Sequence, residues 1–122
     1  MELKKIYAPI QQELDKVDGI LRETFKRTKN NSVQGIVNYL LESPGKRIRP
    51  ALVILSAKAA AGGEPRAMDS HLIRIASAIE LVHMASLIHD DVIDHCPIRH
   101  HRATINSKWG QDVSIVLGDY LY

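Results

Sequence analysis

An all-α fold is what this chain predicts, and three observations carry that reading. Apolar residues recur at alternating spacings of three and four. Helix start and stop signals fall between the periodic runs. No stretch alternates apolar and polar residues, and no hairpin dipeptide joins two β-rich runs. At 122 residues the chain has room for one domain with a modest core.

The elements follow in order. Leu3, Tyr7, Ile10, Leu14, Val17 and Leu21 form one stripe, widened by Ile6, Ile20 and Phe25, and predict a helix over 2–27. Fewer than three or four heptads favours bundle packing over a coiled-coil seam. Asn30-Asn31-Ser32 offers an N-cap for a second helix, buried through Val33, Ile36, Val37, Leu40 and Leu41. Ser43-Pro44-Gly45 stops it. Pro50 suits the first turn of a third helix, which runs through small residues to Gly62-Gly63. Small residues let helix axes approach closely, so an inner helix is expected there. Pro65 and Ser70 then open a long helix. Its stretch from His71 to Ile88 is apolar all round, which predicts a buried helix. A polar loop is expected over 95–106, with a last helix from about Lys108. That makes about five helices.

Composition excludes several classes. Hydrophobic residues make up 45% and charged residues 25%, as in an ordinary globular protein. A net charge of +2 is too small to argue for a nucleic-acid or anionic-membrane partner. The single cysteine, Cys96, excludes an internal disulfide framework and fits a reducing cytosol. The N-terminus has no signal-peptide core, and no stretch is expected to be long and charge-free enough to span a bilayer. There is no internal repeat. The chain ends inside a helical pattern at Tyr122, without a cap, as a piece of a longer protein would.

The chemistry gathers around Leu87-Ile88-His89-Asp90-Asp91-Val92-Ile93-Asp94. On a helix, Asp90 and Asp94 stack on one face and repel. Either that helix end is solvated, or a cation sits there. Carboxylate oxygens suit Mg²⁺, held by one or two carboxylates plus substrate phosphates. Two basic clusters flank this motif. Lys46, Arg47 and Arg49 follow Gly45 at a helix N-terminus, where free N–H groups and the helix dipole favour a diphosphate. The competing reading is a solvated basic loop. Arg99-His100-His101-Arg102 follows the aspartates. An acidic metal platform between cations suits two phosphorylated ligands.

Gly45-Lys46-Arg47-Ile48-Arg49-Pro50, the aspartate motif, Arg99 with Ala103-Thr104-Ile105-Asn106, and Ser114 through Leu121 together resemble the trans-isoprenyl diphosphate synthase (polyprenyl synthetase) family. The resemblance covers nearly all of the chain from Asn38 onward. It implies an isoprenoid-synthase-type helical bundle, of which residues 1–122 are the N-terminal part. It also implies a cytoplasmic Mg²⁺-dependent transferase, working as a homodimer or higher self-association. Such an enzyme joins isopentenyl diphosphate to an allylic diphosphate with loss of pyrophosphate. Carried over, Asp90 and Asp94 resemble the metal-bridging aspartates and Asp91 their support. Lys46, Arg49 and His83 resemble the isopentenyl diphosphate contacts, with Arg47 in the same basic loop, and Arg99 resembles the grip on the allylic diphosphate. His83 lies in helical phase with Ile79 and Leu87, and a satisfied core histidine is its competing reading. Ala85 and Ser86 occupy the positions that floor the product pocket. Both are small, which implies products longer than farnesyl, unless Ser56 or Ala59 forms the floor instead.

Two departures stand out. The family usually follows that arginine with a second arginine and a glycine, where this chain has His100 and His101. A histidine of ordinary pKa ~6.5 is only partly charged at neutral pH and lacks arginine's fork, so weaker, pH-dependent isopentenyl diphosphate binding is expected. The family's second aspartate-rich motif is not within these 122 residues, so the chain alone is expected not to turn over substrate. Three rival readings remain. An HD-type phosphohydrolase would use His89-Asp90 but leaves the basic loop unexplained. A zinc site from His89, His95, Cys96, His100 and His101 fits no common ligand spacing. A non-catalytic helical subunit of a partner synthase has no need of three aspartates.

Overall fold

The computed structural model describes residues 2–27, 29–43, 45–62 and 70–122. They fold into seven α-helices, one 3₁₀ turn and one very small hairpin, grouped in two compact units, Met1–Glu80 and Leu81–Tyr122. The all-α expectation holds, with more and shorter helices than the five expected.

In the first unit, α1 (Leu3–Tyr7) passes through a 3₁₀ turn at 8–10 into α2 (Gln11–Lys26). The expected single helix over 2–27 is therefore broken. Pro9 is the cause: it lacks an N–H and its ring clashes with the carbonyl four residues back. On α4 (Ile48–Ala60), the Lys58 ammonium reaches the break, donating to the Pro9 carbonyl at 2.8 Å and pairing with Glu13 at 2.9 Å. Beyond the break the predicted stripe is the core. Ile10, Leu14, Val17, Leu21 and Phe25 are all buried, while Leu3 lies outside. A fully buried side chain of this size contributes about 1.5–3 kcal/mol. The α2 stripe packs on α3 (Asn31–Leu41) and α4. Asn30 caps α3, its side-chain oxygen accepting from the Ser32 N–H at 3.0 Å. The predicted stop signals at Pro44, Gly63 and Pro65 lie outside the described residues.

Two expectations about burial need correction. The helix α4 buries Pro50, Ala51 and Ile54 but exposes Leu52, Ala59 and Ala60, so it is packed on one side only. The helix α5 (Ser70–Ile93) buries Ile73, Ala76, Ala85 and Ile88 but exposes Ile75, Ile79, Val82 and Ile93. An all-round apolar pattern says that a helix can be buried; how much of it is covered depends on its neighbours. At 24 residues, α5 is also apolar enough for its length and composition to match a membrane span, contrary to the sequence reading. One such helix is weak evidence, because the core helix of a globular fold has the same composition.

In the second unit, α5 continues to Ile93 and ends in a tight hydrogen-bonded cap. The His95 N–H donates to the Val92 carbonyl at 3.2 Å and the Cys96 N–H to the Asp91 carbonyl at 3.0 Å. This is the Schellman pattern, with His95 in the left-handed position (φ 50°) that usually takes glycine. The expected loop over 95–106 is more ordered than predicted. The strands β1 (Ile98–Arg99) and β2 (Arg102–Ala103) pair antiparallel around His100 and His101, both at positive φ. This two-residue turn is missed from sequence because it normally carries Asn-Gly or Asp-Gly. Thr104 is buried and pins the hairpin. Its hydroxyl donates to the Cys96 carbonyl at 2.8 Å and accepts from the Ser107 N–H at 3.1 Å, capping α6 (Ile105–Trp109). Gly110 then turns the chain into α7 (Gln111–Leu121).

Candidate functional site

The three aspartates occupy the last turn of α5, and the helix carries them in different directions. The Asp94 N–H still donates to the Asp90 carbonyl at 2.8 Å, so helical geometry persists through Asp94. Asp90 and Asp94 are exposed on one face. Among the described residues neither carboxylate takes a hydrogen bond or ion pair. Asp91 points the other way and is buried. Arg99 holds it through three contacts: Nε at 2.9 and 3.1 Å from its two oxygens, and Nη2 at 2.6 Å. The hydrogen bonds to Asp91 push the Arg99 guanidinium above its ordinary range, the charge of Asp91 and then of Cys96 and Asp90 acting the same way against partial burial. A guanidinium raised further above neutrality stays charged throughout the physiological range.

This donor set fits Mg²⁺. The ion takes hard oxygens, keeps several waters and needs only one or two protein carboxylates. Asp90 and Asp94 supply two, one turn apart and facing water, while Asp91 is committed to Arg99. Among the described residues no three His, Cys, Asp or Glu side chains converge, so neither the zinc reading nor an all-protein metal cage finds support there.

His89 lies between the aspartates and α7. Its Nε2 is 3.1 Å from the Ile115 carbonyl and 3.7 Å from Asp119. The imidazole packs directly on Gly118, where any Cβ would collide with the ring. His89, Val92, Ile93, His95, Gln111 and Ile115 line an open, largely apolar cleft of ≈ 420 Å³ beside the motif. Ala85 is fully buried, and Ser86 shares a 3.1 Å hydrogen bond with the Tyr122 hydroxyl. His83 is half-buried and engaged. His100 and His101 are exposed at the hairpin tip.

The first unit carries the other basic group. Lys46 and Arg49 are exposed at the start of α4. Arg47, expected among the substrate ligands, is different: its side chain turns inward. Its side chain is only 11% exposed, with Nε 2.7 Å from Asp18 and Nη1 3.1 Å from Glu80, which is 5% exposed. Burying a charge is costly unless it is paired, so these ion pairs account for its position. The backbone at Arg47 is left-handed (φ 53°, ψ 34°), a conformation costing about 1–2 kcal/mol for an L-residue. The Tyr7 hydroxyl donates to the Lys46 carbonyl at 2.8 Å. Burial, and then the charge of Glu80, raise the Tyr7 pKa, so the phenol remains a donor.

The residues that sequence reasoning missed are Asp18, Glu80 and Gly118. Glu80 left a signal, since a lone carboxylate inside an apolar run needs a cation. Gly118 left one too, as a glycine inside a helical pattern. Asp18 sits on a polar face and left none.

The polyprenyl synthetase family model matches residues 30–122, and the chain belongs to that family. It is 37% identical to the heptaprenyl diphosphate synthase component 2 of Geobacillus stearothermophilus over 122 residues, covering 100% of this chain and 36% of that one. It is 36% identical to the octaprenyl diphosphate synthase of Escherichia coli K12, again covering 100% of this chain and 36% of the relative. Among solved structures, a decaprenyl diphosphate synthase from Rhodobacter capsulatus superposes with a TM-score of 0.83 at 29% identity, over 97% of this chain and 35% of that one. The chain thus spans about a third of the length of the relatives it matches.

Proposed function

We propose that residues 1–122 are the substrate-gripping N-terminal part of a trans-polyprenyl diphosphate synthase. Such an enzyme condenses isopentenyl diphosphate with an allylic diphosphate and releases pyrophosphate. The observation that carries this reading is the division of labour at the end of α5: Asp90 and Asp94 face water with no ion-pair partner among the described residues, while Arg99 holds Asp91 inside. Bound Mg²⁺ would neutralise the diphosphate as it departs. Asp90 and Asp94 would hold the ion, and Lys46 and Arg49 would bind isopentenyl diphosphate by direct charge-assisted hydrogen bonds. His83 and His100 are offered to the same substrate. Arg99, besides holding Asp91, is offered to the allylic diphosphate.

Other parts of the reading follow from this one. The small residues Ala85 and Ser86 leave room for products longer than farnesyl, in keeping with the long-chain relatives. Turnover needs the second aspartate-rich motif that the family resemblance implies, so these 122 residues alone bind without condensing. The apolar stripe Ile75, Ile79 and Val82 on α5 needs covering, which favours self-association of a cytoplasmic enzyme. The non-catalytic subunit reading loses ground because a scaffold gains nothing from an unpaired, mutually repelling carboxylate pair. The HD-type reading lacks the converging metal ligands it needs among the described residues.

The test is incubation of the enzyme containing residues 1–122 with isopentenyl diphosphate, farnesyl diphosphate and Mg²⁺. Elongated prenyl diphosphates are expected, and both Asp90→Ala and chelation of the metal should abolish them. Product formation that survives both would overturn the reading.

A further inference from the structure

We infer that Arg47 positions the basic loop and does not touch the diphosphate: fastened to Asp18 and Glu80, it holds the left-handed turn from which Lys46 and Arg49 present their charges. This rests on the proposed isopentenyl diphosphate site. Three features of the first unit carry it. The guanidinium is nearly buried between two carboxylates. One cation against two anions leaves a local charge of about −1, which repels a diphosphate. The left-handed backbone at a non-glycine residue needs something to hold it, and the side chain reaches α2 through Asp18 and α5 through Glu80. The loop is also pinned on its other side, where the Tyr7 hydroxyl donates to the Lys46 carbonyl. The Arg47 carbonyl accepts from the Ala51 N–H at 3.1 Å and so opens α4. The direction in which Lys46 enters and Arg49 leaves is therefore set by the Arg47 turn.

Removing its partners distinguishes the two roles by sign. If Arg47 were a ligand, Asp18→Asn or Glu80→Gln would free its charge and tighten isopentenyl diphosphate binding. As a positioning residue it loses its anchor, and the dissociation constant rises about tenfold. Titration calorimetry of the 122-residue chain with isopentenyl diphosphate reads this, with dimethylallyl diphosphate plus Mg²⁺ as a control that should change less than twofold. Arg47→Lys, which cannot reach both carboxylates in one fork, should fall between wild type and Arg47→Met. Asp18 is partly exposed, so Asp18→Asn folds even if Glu80→Gln does not. Tighter or unchanged binding in a folded Asp18→Asn variant overturns the inference. If the wild-type chain binds no isopentenyl diphosphate, the functional reading fails instead. Amide exchange at Lys46 to Arg49 then decides the positioning role: faster exchange in Asp18→Asn supports it, and unchanged exchange overturns it.

Discussion

Alanine at each of the three aspartates should separate stability from metal binding. Asp91 is buried and accepts three short contacts from Arg99. Breaking a fully buried pair costs roughly 3–5 kcal/mol. The Arg99 side chain is 35% exposed, so water recovers part of that, and we expect Asp91→Ala to cost about 2 kcal/mol. For a chain of this size that lowers Tm by about 6–8 °C. Asp90→Ala and Asp94→Ala should do the opposite. Each removes a like-charge repulsion worth about 0.2–0.5 kcal/mol. Each also removes a negative charge from the negative end of the helix dipole. Both variants should match or exceed wild-type stability by up to ~1 kcal/mol, because alanine is also the better helix former. Mg²⁺-dependent binding of a diphosphate should be lost in both. Urea unfolding followed by far-UV circular dichroism gives the stabilities, and calorimetry with Mg²⁺ and pyrophosphate gives the binding. The reasoning is refuted if Asp91→Ala unfolds with wild type while Asp90→Ala or Asp94→Ala loses more than ~1 kcal/mol.

Gly118→Ala should destabilise by about 1–3 kcal/mol, because the new methyl meets the His89 ring; in a helix with open space the same change would stabilise, so the sign of the shift in urea midpoint decides. His101→Gly should raise stability by about 1 kcal/mol by relieving a left-handed φ of 63° at the hairpin tip, and a lower Tm would show that this turn is not strained. Burial acts most strongly on Glu13 and would raise its pKa, but the hydrogen bond and charge of Lys58 bring it below the ordinary value. A depressed carboxylate stabilises the fold above its unfolded pKa, so this contribution is full above about pH 5 and fades as pH falls below ~4.3. Lys58→Met should cost about 0.5–1 kcal/mol more at pH 7 than at pH 3, where only the contact with the Pro9 carbonyl is left to lose, and an equal loss at both would refute the pairing.

The helices and the acidic motif were legible in the residues themselves, because helical periodicity and carboxylate spacing are local properties. Leu14, Val17, Leu21 and Phe25 announced the face they bury, Asn30 announced its cap, and Asp90 and Asp94 announced a shared face one turn apart. What needed the fold was the identity of each charge's partner. Lys46, Arg47 and Arg49 read alike along the chain, yet Asp18 lies 29 positions from Arg47 and Glu80 lies 33, and only their approach turns Arg47 inward. Asp91 also reads like its two neighbours until the left-handed cap at His95 reverses the chain and Arg99, eight positions on, closes onto it. A side chain's type and phase are written locally. Whether its charge meets water or a counter-charge depends on how the chain folds back on itself, which is why only the tertiary structure showed that Arg47 and Asp91 turn inward.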